Sequence, residues 1–444
     1  MRPPRPGRER FYRRSAIALF ATTALILAVV GGVAYTRWDG PAELPEEWRE
    51  ADEVLAAMQR DLGVDADEVA RLFTDQAQAR LTDQDLRDAL GDAYAGSVFD
   101  PESGELTVSV TDPAATDTVE DAEANARLVT YGTNTLDGAV DALNGVDPFE
   151  AARWYTDVTQ DQVVIEVPQG QTVEGELFAA NAGIDTGMVD IQETSVRYET
   201  FEGAPEDGTD DTAPAESDIV GGLAYTTPSG RCSVGFAVAP RDTDDLRLDV
   251  ESEPDDQGDS ETEEDGGKDP VPASVSGFAT AGHCGGEGVP TESPDGIVEE
   301  SLFPGDGDRA WVSSTWHPTA LVSQYDTGGF VRVSGSDEAP VGSTVCRSGS
   351  TTGWHCGVVE ATNVSVSYPE GVVDGVTATT VCAEPGDSGG PFVSDTQAQG
   401  VTSGGSGDCG GGQSVTFFQP INELLAEYDL DLVTTDGPAG PPDS

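Results

Sequence analysis

One serine, Ser388, stands in the run CAEPGDSGGP between Cys382 and Pro391. A serine hydroxyl is a weak nucleophile near neutral pH and needs an adjacent base, itself held by a third group. The chain has three histidines, His283, His317 and His355, and all precede Ser388. Gly386-Asp387-Ser388-Gly389-Gly390 formally matches the G-x-S-x-G elbow of α/β-hydrolases. That fold takes its histidine after the serine, so the match fails.

His283 has the most informative setting. In FATAGHCGG a strand-like run ends at a turn and the next residue is Cys284. A disulfide there would fix the backbone beside the imidazole, as a preorganised general base requires. His317 in STWHPTA and His355 in GWHCG read as ordinary surface or turn residues. For the orienting carboxylate, PGDGDRAWVSS offers Asp306, flanked by glycines, and Asp308, directly against the strand run Ala310-Trp311-Val312. Asp308 is the better placed. The order His283, Asp308, Ser388 is one in which the Ser-His-Asp triad is known.

The elements around these residues are β-rich. From Ile219 onward, IVGGLAYTTPSGRCSVGFAV, ASVSGFATAGHC, RAWVSS, GGFVRVSG and TNVSVSYPEGVVDGVTATTVC are short β-prone runs cut by Gly and Pro, the grammar of a sandwich or barrel. A helix pattern returns only in PINELLAEYDLDL. All six cysteines lie in this half, an even number that reads as disulfides in an exported chain. The simplest pairing joins neighbours: Cys232–Cys284, Cys346–Cys356 and Cys382–Cys409. No CxxC pair is present, which argues against a metal site.

Residues 48 to about 200 follow another grammar. EWREADEVLAAMQRDLG and DADEVARLFTDQAQARLTDQDLRDALGDAY space apolar residues three and four apart and end near glycines, as helices do. GSVFDPESGELTVSVTD and RWYTDVTQDQVVIEV read as hairpins. This α+β region carries no cluster of catalytic residue types. The acidic, Gly/Pro-punctuated stretch 203–218 is a linker open to proteolysis. Residues 241–270 hold 14 acids and read as a solvated insertion between strands.

At the start, Arg2, Arg5, Arg8, Arg10, Arg13 and Arg14 precede an uncharged run from Ser15 to Tyr35, the order of an export signal. Residues 1–40 are therefore expected to be a signal peptide or a membrane anchor. The 82 acids against 22 basic residues, a net charge of -60, argue against nucleic acid and anionic lipid as partners.

Taken together, TAGHC, GDRAWV, CAEPGDSGGP, GVTSGGSGDC, the opening IVGGLAYTTPSGRCSVGFAVAP and VCRSGSTTGWHCG resemble the bacterial serine proteases of the α-lytic protease and streptogrisin group. The likeness covers nearly all of 219–435, and residues 41–202 resemble the pro-region of that group. The resemblance implies an all-β, chymotrypsin-like catalytic domain of two antiparallel β-barrels behind an α+β pro-domain. It implies a secreted serine endopeptidase made as a zymogen, with polypeptide substrates, its own pro-region as partner before processing, a monomeric mature form and no cofactor. A silent binding protein on the same fold, or an esterase, are the alternatives.

By resemblance, the backbone N–H groups of Gly386 and Ser388 form the oxyanion hole. Ala383, Glu384 and Pro385 form one wall of the primary pocket, and Thr402 with Ser403, Gly404 and Gly405 the other. Small residues there imply cleavage after large apolar residues. Asp387 is expected to pair with Arg347, which follows Cys346, rather than with a new amine at Ile219. The mature chain is expected to start near Ile219 and end near 435, leaving a short tail at 436–444. Cleavage after Tyr198 or Phe201 followed by trimming, or a second protease, would then release it.

Overall fold

The computed structural model describes residues 52–148, 151–201, 203, 217–241, 276–325 and 329–439. The targeting segment 1–40, linker residues 204–216 and the acidic insertion beyond Arg241 lie outside the described residues. No helix among the described residues is long and apolar enough to cross a membrane.

Two helices, Asp52–Leu62 and Ala66–Leu90, open the described chain. The second starts at a capping box. Asp65 accepts from the N–H groups of Asp67 and Glu68, and the Glu68 carboxylate accepts from the Asp65 N–H. It stops at Gly91, whose φ of 49° is easy only for glycine. The hairpin Tyr94–Asp100 and Glu105–Val110 follows, extended in parallel by Asn125–Leu128. A second unit packs the helices Thr133–Asn144 and Thr172–Asn181 on the strands Arg153–Asp157, Gln162–Pro168 and Val189–Thr194. Its core centres on Trp154, which is fully buried.

The C-terminal half holds two β systems. One is a seven-stranded antiparallel sheet built on Ser276–Thr280, Arg309–Ser314 and Gly296–Leu302. Beside it, Asp218–Gly221 pairs in parallel with His317–Ser323. The other runs Thr344–Gly349, Pro391–Ser394, Gln397–Ser406, Val415–Pro420, Gly371–Thr379 and Gly353–Tyr368. Pairing of the last strand back on the first closes it into a six-stranded barrel.

The α+β half is sewn onto this barrel. Strand Arg153–Asp157 adds to the edge of Gly353–Tyr368 through Trp154 opposite Ser365 and Arg153 opposite Val366. Met58, Leu72 and Phe73 from the first helices share one buried apolar cluster with Trp354, Val393 and Ala398 of the barrel. Fully burying a side chain such as Met58 stabilises by about 1.5–3 kcal/mol. Gln76 adds a buried polar clamp: its amide accepts from the Thr344 N–H at 2.7 Å and donates to the Thr344 carbonyl at 2.9 Å.

Candidate active site

His283 sits on a single turn, Gly282–Cys284, directly after strand Ser276–Thr280. The Cys232–Cys284 disulfide ties that turn to strand Arg231–Ser233. Asp308 immediately precedes strand Arg309–Ser314, which pairs with Ser276–Thr280. One sheet therefore presents both residues. Ser388 comes from the barrel, on the loop before Pro391–Ser394, and its carbonyl accepts from the Ser233 N–H at 2.7 Å. Gly386 and Gly389 take φ values of 103° and 79° around it, where a side chain would be strained.

The geometry joins the three residues. His283 Nε2 lies 2.7 Å from Ser388 Oγ, and Nδ1 lies 2.7 Å from Asp308 Oδ2. The His283 backbone N–H also donates to Asp308 Oδ1 at 3.0 Å. A carboxylate only accepts, so Nδ1 carries the proton and, in neutral imidazole, Nε2 faces the serine as a base. Asp308 and Ser388 have no exposed surface. Asp308 also receives the Ser403 hydroxyl at 2.6 Å, and its backbone N–H donates to Gln419 Oε1 at 2.8 Å. The Phe303 ring packs at a tilt on the imidazole, 5.4 Å between centroids.

The cleft is filled by the chain itself. Residues Glu199–Thr200 form a strand antiparallel to Gln397–Ser406, with Thr200 opposite Gly404 and Glu199 opposite Gly405. The carbonyl of the next residue, Phe201, accepts from the Gly386 N–H at 2.5 Å. Beyond it, Gly203 exchanges two backbone hydrogen bonds, each 3.0 Å, with Arg231. Tyr198 and Phe201 are buried while Glu199 between them is exposed. The segment thus lies beside the loop that carries Ser388, with the Phe201 carbonyl on the Gly386 N–H.

Over 98% of this chain and 88% of its relative, the sequence is 37% identical to streptogrisin-C of Streptomyces griseus. The chain belongs to the streptogrisin and α-lytic protease-like serine proteases. Streptogrisin-D of the same organism is 32% identical over 82% of this chain and 81% of its own length. The family described as alpha-lytic protease pro N-terminal matches residues 67–129, and the trypsin family matches residues 274–426. Thermobifida fusca protease A is 46% identical over 49% of this chain and 100% of its own, with a TM-score of 0.41. The streptogrisin-like chain is accordingly a serine endopeptidase of the trypsin family, a chymotrypsin-fold, mostly β catalytic domain preceded by an α+β pro-region.

Other expected site residues fall as follows in this streptogrisin-like protease. Disulfides join Cys232–Cys284, Cys346–Cys356 and Cys382–Cys409. Glu384 is tied down, its N–H on Asp387 and its carboxylate accepting from the Cys409 N–H at 3.1 Å. Ala383 is buried and Pro385 exposed. In the other expected wall, the Thr402 hydroxyl donates to the Gly390 carbonyl and the Ser403 hydroxyl to Asp308.

Arg347 Nη1 and Asp387 Oδ2 are 3.3 Å apart, both side chains fully buried. The two charges are within ion-pair reach, although Nη1 is not aligned to donate a hydrogen bond to the carboxylate. Arg347 instead donates to the Cys382 carbonyl and the Thr352 hydroxyl. Asp387 accepts from the N–H groups of Thr351, Thr352 and Glu384 and from the Thr352 hydroxyl. Burial alone would raise its pKa, but the Arg347 charge and these donors outweigh it and hold the carboxyl below its ordinary value.

Three contributors carry no sequence signal of their own. Gln419, Tyr368 and Phe303 lie far along the chain from the residues they touch, and only the fold brings them in. His355, read as an ordinary turn residue, lies on strand Gly353–Tyr368 within 3.3 Å of Asp61 and 3.1 Å of Arg60 from the pro-region.

Proposed function

We propose that this protease is an exported zymogen whose first substrate is its own Phe201–Glu202 bond, and that it cleaves polypeptides after large apolar residues. Ser388 is the nucleophile, His283 the general base and acid, and Asp308 the residue that fixes the imidazole tautomer. The observation that carries the reading is the Phe201 carbonyl on the Gly386 N–H, in a strand laid along Gly404 and Gly405.

Ser388 Oγ attacks the Phe201 carbonyl carbon while its proton passes to His283 Nε2. The oxygen turned anionic is held by the N–H groups of Gly386 and Ser388, and losing one such donor costs about 2.7–4 kcal/mol. Collapse breaks the bond to Glu202, whose nitrogen takes the proton from His283 as it leaves. Water then enters by the reverse path and frees the Phe201 carboxylate. Pairing through backbone groups on both sides of the scissile bond favours a peptide over an ester.

The buried Phe201 side chain supports the preference for large apolar residues. It also accounts for release of the pro-region without a second protease. Trimming of the acidic linker then stops near Ser217, because Asp218–Gly221 is locked against His317–Ser323 and Ile219 is fully buried. The arginine-then-apolar order of residues 1–35 and the disulfides support export, and the mature enzyme acts alone as a monomer.

The test is intact-mass and C-terminal analysis of the pro-region released when the full chain is expressed. A fragment ending at Phe201 from the wild type, and an uncut chain from Ser388→Ala, are expected. A pro-region ending elsewhere, or cleavage of Ser388→Ala at the same bond, overturns the self-cleavage.

A further inference from the structure

We infer that Tyr368 is a positioning residue of the triad, acting on Asp308 through the Ser403 hydroxyl. This rests on the triad reading above and asks what sets the basicity of its carboxylate.

Asp308 Oδ2 receives two hydrogens, from His283 Nδ1 at 2.7 Å and from Ser403 Oγ at 2.6 Å. A carboxylate offers only lone pairs, so the single hydrogen of Ser403 is committed to Asp308. The Tyr368 phenol lies 3.1 Å from Ser403 Oγ, in a pair where either oxygen could donate. With the serine hydrogen spoken for, the phenol must be the donor. The direction of the chain is thereby set: Tyr368 to Ser403 to Asp308. A donor upstream polarises the hydroxyl it binds and strengthens the next bond, most of all away from water.

The surroundings keep that donor in place. Tyr368, Ser403 and Asp308 are all buried. Burial first, and then the charges of Asp308 and Glu370 with Tyr198 beside them, push the phenol well above its ordinary pKa, and the Ser403 hydrogen bond only partly offsets them. It therefore keeps its hydrogen. Of the groups acting on it, Tyr198 leaves with the pro-region, together with Arg153, which lies over the Tyr198 ring. Asp308 and Glu370 remain. A Cβ at Gly404 would come within 2.9 Å of the phenol oxygen, so the glycine that pairs with the bound peptide also leaves room for this group.

Without the phenol hydrogen, Asp308 is less well stabilised as an anion and holds the imidazole proton more tightly. The base is then lost at a higher pH. The experiment compares mature wild type with Tyr368→Phe, both obtained from the full chain, on a chromogenic peptide ending in Phe. On the acid limb we expect kcat/KM to fall about threefold, the size of a half-unit shift, with the value at the neutral plateau little changed. The acid limb of kcat/KM should move up by about half a pH unit, and the downfield proton resonance of the His283–Asp308 pair should shift.

In a Ser403→Ala background the same substitution should be silent. 3-Fluorotyrosine placed at 368, a stronger donor of nearly the same shape, should move the acid limb down. An unmoved limb and resonance in Tyr368→Phe, or an equal loss in the Ser403→Ala background, overturns the inference. If Tyr368→Phe yields no mature enzyme, the fluorotyrosine protein decides, and an unmoved limb there overturns it as well.

Discussion

Arg347 and Asp387, the residue before Ser388, lie 3.3 Å apart, neither with any exposed surface. Removing the guanidinium leaves a buried carboxylate without its counter-charge and strips the Cys382 carbonyl of its donor. Arg347→Ala should therefore lose about 3–5 kcal/mol of stability. Denaturant unfolding of the mature enzyme checks it, and an unchanged midpoint refutes it.

The same carboxylate gives the enzyme an acid limit. Asp387 titrates below its ordinary value in the folded chain, so the unfolded chain binds its proton first. Its stabilisation is present above the ordinary carboxylate pKa of about 4 and is lost as pH falls below it. Stability against pH should drop less steeply through this range in Asp387→Asn, which starts lower. Parallel curves for the two proteins would remove Asp387 as the cause.

At the junction, the side chain at position 201 should govern release of the pro-region. Phe201→Leu keeps an apolar group for the buried site and should be processed at a similar rate. Phe201→Lys places a charge there and should slow processing at least about tenfold. Timed gels of the refolding chain read the rate. Equal rates for all three proteins would mean that this side chain is not read.

The pro-region grips the barrel through Asp61, which accepts from the Cys356 N–H at 2.9 Å and lies against His355. Burial raises the Asp61 pKa, but the His355 hydrogen bond, Arg60 and the Cys356 N–H outweigh it, so the carboxyl titrates well below its usual range. Its contribution to docking is present above a pH of about 4 and fades below it. Asp61→Asn should weaken inhibition of the mature enzyme by added pro-region about tenfold at neutral pH and flatten its acid dependence. Inhibition curves across pH measure both.

Much of the site was legible because its chemistry is local. His283 sits beside a cysteine, Asp308 opens a strand and Ser388 stands among glycines, and each short run carries its own signal. What was not legible is long-range. Nothing in SVSYPEG announces that Tyr368 reaches Ser403, and nothing in GWHCG marks His355 as a docking contact. The helix Thr133–Asn144 has core spacing in Leu136, Ala139, Val140 and Leu143, diluted by Thr, Asn and Gly between them. Tyr198 and Phe201 could be picked out as large apolar residues before the acidic linker, but not the pairing of Glu199 and Thr200 with Gly405 and Gly404, which any backbone can make.

Strand Arg153–Asp157 meets the barrel edge in two residue pairs, Arg153 with Val366 and Trp154 with Ser365, and Glu199–Thr200 meets Gln397–Ser406 in two more. Sheet edges invite other chains in proportion to the length of backbone they leave unpaired. When the pro-region departs, the mature enzyme is left with a short frayed hem rather than a long open selvedge. So short an edge offers another chain few backbone groups to pair with.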